Sequence, residues 1–274
     1  TVFSIDPIGS NDIDDAFHFK IIDKESQIYE VGIHIASPFV FFKDNMREIL
    51  ERASTVYLTT RKYNMIPNIY AENYVSLLEN HKRFALSLII KICRQNNENN
   101  ATHAFQIMKY DIQETVVLNT KNFNYEEFDA IYNKIKDLKD SNNLRDFYDF
   151  TMEYFNCSID TFDSHKLVEN WMILANQMVA SHLIKCKFSN TILRKHVAND
   201  DIIYDETNED IKNNKELTDY LKLRRENSAL YEIYDANITE ELQTHSKLEN
   251  KYYTHFTSPI RRAVDTFIHS LLIT

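Results

Sequence analysis

Glycine is almost missing from this sequence. It contains Gly9 and Gly32 only, where ordinary usage over 274 residues gives about 19. The two stand too far apart to share a loop. No G-x-G-x-x-G dinucleotide turn, G-x-x-x-x-G-K phosphate loop or G-x-S-x-G nucleophile elbow can be written, so a glycine-rich cradle for phosphate or carbonyl groups is excluded. Cysteine is scarce too. Cys93, Cys157 and Cys186 form no close pair, which argues against a disulfide framework and a cysteine zinc site and fits a reducing, intracellular compartment. The histidines form no H-E-x-x-H helix. A membrane-length apolar run is also lacking: FALSLIIKIC at 84–93 is interrupted by Lys91, is about half a span, and reads as a buried strand. The opening TVFSID lacks the basic-then-apolar order of a secretory signal. It also lacks an initiator methionine, as expected of a chain trimmed from a longer one.

What is present describes a soluble globular protein, with 43% hydrophobic and 26% charged residues. This length accommodates one large domain or two modest ones. The 41 acidic against 31 basic side chains give a net charge of −10. That balance opposes tight non-specific nucleic-acid binding, which grows with the phosphates neutralised, unless basic groups are gathered in a channel or supplied by other domains.

The pattern along the chain runs from strands to helices. AFHFKII at 16–22 and IYEVGIHIA at 28–36 alternate as half-buried strands. Residues 43–53 have a helical pattern. Residues 83–93 and 103–118 read as two longer strands joined by the polar hairpin loop RQNNENNAT. From Tyr125 the period becomes helical, and residues 166–187 place Leu167, Val168, Trp171, Met172, Ala175, Met178, Val179 and Leu183 on one stripe. The stretch 199–216 is a polar insertion or loop. At 258–272 Ser258 is placed as the cap of a helix with Pro259 in its first turn and Ile260, Val264, Phe267, Ile268 and Leu271 on its buried face. No internal repeat is evident, and strands before helices predict an α+β fold.

The densest chemistry lies in SIDPIGSNDIDDAFHF, where Asp6, Asp12, Asp14 and Asp15 fall within ten residues. Two carboxylates about 4 Å apart repel by roughly 4 kcal/mol at an effective dielectric near 20. Such a group must be protonated, solvated or bound to a cation. Hard oxygen ligands suit Mg²⁺, which can activate water and stabilise the leaving oxygen of a phosphodiester. An acidic turn facing solvent is the alternative. An EF-hand is excluded, because its spacing and closing glutamate are missing.

These residues resemble a known family. SIDPIGSNDIDDAFHF is similar to the first signature of the ribonuclease II/ribonuclease R (RNB domain) exoribonucleases, which include the catalytic subunit of the eukaryotic exosome. YTHFTSPIRRAVDTFIH near the end resembles the second signature. VGIHIAS (31–37), RFALS (83–87), FNYEEF (123–128) and LVENWMILAN (167–176) lie between them in family order. The resemblance implies an RNB-type α+β fold over 1–274, with a mainly antiparallel sheet flanked by helices and an acidic metal site at the base of a channel. No small RNA-binding barrels of the OB-fold type are expected on either side within this chain, which stops early after the second signature.

The same resemblance implies Mg²⁺-dependent hydrolysis of single-stranded RNA from the 3′ end to nucleoside 5′-monophosphates, with Mn²⁺ able to substitute. Asp6, Asp12, Asp14 and Asp15 occupy the four metal aspartate positions, Asp14 at the most activity-critical one. Arg261 contacts the phosphate at the cleaved bond. Tyr125 packs on the terminal nucleotide, and Glu169 and Arg262 join Tyr125 and Arg261 as RNA contacts. The chemistry of these side chains is compatible: a planar guanidinium fork suits phosphate, and aromatic stacking suits sequence-tolerant single-strand binding. Tyr125 reads equally as a core tyrosine. On a helix Arg261, Asp265 and His269 line up at i, i+4 and i+8, either as a surface ion pair with His269 nearby or as support behind the site. Four positions depart from the family pattern: Ser37, Asn170, Ala263 and Ser270. The last two remove a large contact and a positive charge, so a weaker grip on RNA is expected, whether or not accessory RNA-binding domains or proteins supply affinity.

Overall fold

The computed structural model describes residues 1–95, 104–136, 142–196, 229–249 and 251–273. The expected polar stretch 199–216 lies outside these residues, as do residues 96–102 of the expected hairpin loop. Strands β1 (Val2–Asp6), β2 (Asp15–Asp23) and β3 (Ile28–Ala36) come first. Helices α1 (Phe39–Phe42) and α2 (Met46–Arg52) and a short hairpin, β4 (Val56–Tyr57) and β5 (Lys62–Tyr63), follow, and then the long strands β6 (Lys82–Gln95) and β7 (Ala104–Asn124).

The five longer strands close into a barrel in the order β1-β2-β3-β6-β7. Neighbours are antiparallel except β1 and β7, which run parallel. An odd ring cannot alternate direction all the way round, so one parallel pair is a geometric necessity. The mainly antiparallel sheet expected from the sequence is present, and its closure is an addition. β7 runs past its expected end at 118 to Asn124. That extension sets Asp6 opposite Asn124.

Two compact units are present, residues Thr1–Ala175 with Phe256–Thr274, and residues Asn176–His255. In the first, α3 (Tyr125–Ile135) and α4 (Asn143–Tyr154) start on side-chain caps: Asn124 accepts from the Glu127 N–H at 2.7 Å and Asn142 from the Leu144 N–H at 3.0 Å. Each cap satisfies a backbone donor that the helix leaves orphaned. Helix α5 (Ser164–Lys185) follows. Large and small residues alternate along β2, and each set has its own partner. Phe3, Phe17 and Phe19 pack on Phe147 of α4, and Phe147 stacks on Trp171 of α5. Ala16, Ala36 and Ala85 belong to a second buried cluster with Ile13, Ile260 and Ala263, where small side chains let the 260–263 backbone come close.

A polar chain crosses the sheet beside these alanines. His18 Nδ1 meets His34 Nε2 at 2.8 Å, His34 Nδ1 meets Ser87 Oγ at 2.7 Å, and Ser87 Oγ meets Thr115 Oγ1 at 2.6 Å. The smaller unit carries the antiparallel pair β8 (Ile192–Lys195) and β9 (Leu230–Ile233), with the Arg194 N–H on the Tyr253 carbonyl at 2.7 Å. Among the described residues no helix is long and apolar enough to cross a membrane.

The last helix corrects the sequence reading. α6 spans Ala263–Ile273, so Ser258–Arg262 precede it as turns. Their backbone is engaged elsewhere: the Ile260 N–H goes to Asp14 Oδ1, the Ala263 N–H to the Ala53 carbonyl, and the Arg261 carbonyl accepts the Thr55 N–H. Arg261 therefore does not share a helical face with Asp265 and His269. Those two are fully buried, while Val264, Phe267 and Leu271 are half-buried, which removes the surface ion-pair alternative. Asp265 Oδ1 accepts the Ser258 N–H and Arg262 Nη2, each at 2.8 Å.

Candidate active site

The loop from Asp6 to Asp15 joins β1 to β2, and its shape follows from Pro7 and Gly9. The Ser10 N–H donates to the Pro7 carbonyl at 3.1 Å, and Gly9 takes φ +79°, a conformation that an L side chain would strain. A distant segment pins the far end. The Ile13 N–H donates to Ser76 Oγ at 2.8 Å, and the Ile13 carbonyl accepts the Leu77 N–H at 3.0 Å. One wall of a cavity of about 200 Å³ is formed by Asp6, Gly9, Ser10, Asn122, Asn124 and Glu127.

The four aspartates separate into distinct environments. Asp14 is buried, takes the Ile260 N–H on Oδ1 at 2.9 Å, and has Arg261 Nε 3.8 Å from Oδ2. Burial pushes its carboxyl up to about 7, against the pull of the Ile260 N–H and then of Arg261. Asp6 is also pushed up to about 7, by burial first and with repulsion from Asp12 added. Asp15 is raised well above the usual carboxylate range by burial and by the charges of Asp6 and Asp14. Asp6 Oδ2 and Asp15 Oδ2 are buried with no hydrogen-bond partner. Asp12 stands apart: Lys62 Nζ lies 3.0 Å from its Oδ1 and 3.5 Å from Glu72 Oε1.

Orphaned, hard, negatively charged oxygens demand either protons or a cation. The donor set of Asp6, Asp14 and Asp15 therefore fits a divalent ion in chemistry. Among the described residues, no three acidic, histidine or cysteine side chains stand close enough together to cage one.

Arg261 is 43% exposed along its side chain, and its Nη2 donates to Ser258 Oγ at 3.1 Å. It is the cation available to an incoming anion beside Asp14. Arg262 instead is engaged with Asp265. His269 donates its Nε2–H to the Phe256 carbonyl at 2.9 Å, and burial pushes its pKa down to about 4, so its ring is neutral and braces the segment before the turn. Tyr125 opens α3 directly after Asn124. Burial raises its phenol pKa, with Asp15 and Asp6 adding to the effect, and one ring face stacks on His165 at 3.6 Å. Glu169 is exposed on α5, one helical turn after His165, and pairs with Lys166 at 2.7 Å.

Sequence reasoning missed two residues. Tyr57 and Lys62 face each other across the β4–β5 hairpin. The Tyr57 phenol is pushed up by partial burial and then by Asp12. The signal was VYLTTRKY, in which a four-residue connection, Leu58 to Arg61, lies between flanks that carry Val56, Tyr57 and Tyr63, which reads as a hairpin. What it could not reveal is where the hairpin docks: the Thr55 N–H holds the Arg261 carbonyl at 2.9 Å, and Ser54 forms a bridge with Arg262.

A family model described as RNB domain matches residues 1–154 and 148–274. The probable exosome complex exonuclease RRP44 of Caenorhabditis elegans is 25% identical, over 99% of this chain and 33% of that protein. Ribonuclease R of Chlamydia trachomatis is 26% identical, over 98% of this chain and 44% of that protein. The chain thus spans less than half the length of these two curated relatives. Two solved structures share the fold. Mycoplasma genitalium RNase R in complex with ribose methylated single-stranded RNA superposes at a TM-score of 0.73, with 19% identity, over 99% of this chain and 49% of that one. Yeast Ssd1, a pseudonuclease, superposes at 0.74, with 16% identity, over 99% and 38%.

Proposed function

Because the chain belongs to the RNB domain family, we propose that it hydrolyses single-stranded RNA from the 3′ end, releasing nucleoside 5′-monophosphates with Mg²⁺ as cofactor. The observation that carries this reading is the convergence of the two ends of the sequence. The aspartate loop and the Ser258–Arg262 turn meet at the Ile260–Asp14 bond, which leaves Arg261 beside the acids.

In this reading the loop of Asp6, Asp12, Asp14 and Asp15 would supply the oxygens for the ion, its side chains drawing together around it. When bound it would supply a nucleophilic water and positive charge at the leaving oxygen. The chain's own groups do the rest. Arg261, carried on a turn fixed at both ends, donates to a non-bridging oxygen of the last phosphodiester and meets the charge that grows there. Tyr125, backed by His165, offers its other ring face to the terminal base. Tyr57 adds a second exposed ring near Asp12. Arg262 acts through Asp265 to hold the turn, and Glu169, one helical turn from His165, adds a contact to the RNA.

The test is incubation of 5′-labelled single-stranded RNA with the protein in Mg²⁺ or EDTA. Stepwise shortening in Mg²⁺ that disappears in Asp14→Asn is the expected result. Retained RNA binding without shortening would replace the enzyme by an inactive RNA-binding or protein-interaction module. Release of phosphate from small esters with intact RNA would replace it by a phosphatase.

A further inference from the structure

We propose that Ala53 is a positioning residue for Arg261. The strained turn at this alanine sets the register in which residues 53–55 pair with 261–263, and so the place where the guanidinium stands beside Asp14. This rests on the reading above that Arg261 meets a phosphate of the RNA.

Helix α2 ends at Arg52, and the chain reverses on the next residue. Ala53 takes φ +60° and ψ −55°, and the Ser54 N–H closes on the Arg52 carbonyl at 2.7 Å. A bond from residue i+2 back to residue i across a positive φ is the rare form of the γ-turn, strained for an L residue. Among the described residues, the other non-glycine positions with positive φ are Gln27, Asn80, Asn156, Lys187, Asn190 and Glu249. All of these carry polar side chains, whereas the Ala53 methyl is exposed and makes no hydrogen bond. Its own side chain offsets none of the strain, so the backbone around it must.

The Ala53 carbonyl accepts the Ala263 N–H at 2.8 Å, and the Thr55 N–H donates to the Arg261 carbonyl at 2.9 Å. Between these bonds Ser54 stands opposite Arg262 in an antiparallel bridge. The far side is anchored too. Thr55 is buried and takes the Met65 N–H on Oγ1 at 3.0 Å, and Arg52 Nη1 reaches the Met65 carbonyl at 3.2 Å. An ordinary left-handed helix cap differs from Ala53 mainly in ψ, by about 100°, and would send Ser54 off in another direction. The pairing with 261–263 would then slip or be lost. A slip of one residue in such a pairing exchanges its two faces, which would turn the Arg261 side chain away from Asp14. The Ile260–Asp14 bond fixes the arginine turn on the acid side, and the Ala53 turn fixes it on the other.

The test combines thermal melts with single-turnover shortening of 5′-labelled single-stranded RNA in Mg²⁺ and RNA affinity in EDTA. Glycine tolerates positive φ, so Ala53→Gly should raise the melting temperature by about 2–4 °C. A β-branched side chain does not, so Ala53→Val should lower it. The same variant should slow shortening about tenfold or more, with RNA affinity within about threefold of the parent. Where Ala53→Val melts below the assay temperature, the milder Ala53→Leu takes its place. The loss should pass through Arg261: in an Arg261→Gln background, Ala53→Val should change the rate by less than about twofold. A melting temperature of Ala53→Gly below the parent's would overturn the strain on which the proposal stands. Parent-like cleavage by Ala53→Val, or rate losses of Ala53→Val and Arg261→Gln that multiply, would overturn the positioning role and leave the nuclease reading intact. A parent chain that binds RNA and leaves it uncut would remove that reading, and this proposal with it.

Discussion

The backbone N–H of Ile260 donates to Asp14 Oδ1 at 2.9 Å, across 246 positions of sequence. This bond fixes the aspartate loop against the turn that carries Arg261, so the charge on Asp14 and its hydrogen bond can be separated by mutation. Asp14→Asn keeps an oxygen to accept the Ile260 N–H and removes the charge facing Arg261. It should leave the urea midpoint close to the parent and lower the rate of RNA shortening by about a hundredfold or more. Asp14→Ala removes the acceptor as well and should cost about 1–3 kcal/mol of stability. Comparable activity in Asp14→Asn and the parent would show that the carboxylate charge is not used.

The buried carboxyls make stability depend on pH. Burial pushes the carboxyls of Asp6 and Asp14 up to about 7, whereas in the unfolded chain they titrate near about 3.9. Between these values the folded chain holds protons that the unfolded chain has released. Their contribution is therefore fully present below about pH 4 and is lost as pH rises through about 7. Buried His34, pushed down to about 3, and His269, pushed down to about 4, act in the opposite sense. They favour the folded chain increasingly as pH rises toward about 6.5. The acid effect is isolated by comparing parent and Asp6→Asn melting temperatures in EDTA. The advantage of the variant should grow from about pH 4 to about pH 8 and shrink when Mg²⁺ is added. A difference that is flat with pH would mean that Asp6 is not held out of water.

Some of this was legible in the sequence, and the dividing line is locality. The strands around Phe17 and Ile33 announce themselves by alternation, the one around Leu88 by its apolar run, and Gly9 by its place in an acidic turn. The parallel register of Val2 and Asp6 with Asn119 and Asn124 is a pairing more than a hundred positions apart, which no local pattern encodes. The start of α6 was misread for a related reason. Ser258-Pro259 has the chemistry of a helix N-terminus, but Asp14, Ala53 and Thr55 take the backbone groups that the helix would need. Lys62 was invisible for the same reason: its partner Asp12 is fifty residues away, and the pairing exists only once the hairpin is docked.

Gly32 is required for clearance and not for backbone freedom. It sits directly opposite His18 across β2 and β3, and a Cβ built on it would lie 2.2 Å from the imidazole. His18 cannot easily yield, because His34 holds it at 2.8 Å and Glu30 at 3.2 Å. Gly32→Ala should therefore destabilise the chain by about 1–3 kcal/mol. In the His18→Ala background the same change should cost at least about 1 kcal/mol less. Additive losses in urea unfolding of the two single variants and the double variant would remove the steric explanation.

Asp265 ties the Arg261 turn to α6 from a fully buried position. Its Oδ1 accepts both the Ser258 N–H and Arg262 Nη2 at 2.8 Å. Burial raises its pKa, and Arg262 foremost among its partners opposes that rise. Removing the carboxylate takes a charged partner from the half-buried Arg262 and the acceptor from the Ser258 N–H, and breaking a buried pair costs about 3–5 kcal/mol. Asp265→Ala should lose about that much in urea unfolding, whereas Asp265→Asn, which keeps an acceptor for Ser258, should lose less. Because the same turn places Arg261, Asp265→Asn should also slow RNA cleavage while leaving Mn²⁺ affinity near that of the parent. If Asp265→Ala costs under about 1 kcal/mol, the turn is held by the Ile260 and Thr55 bonds and Asp265 has no part in placing Arg261.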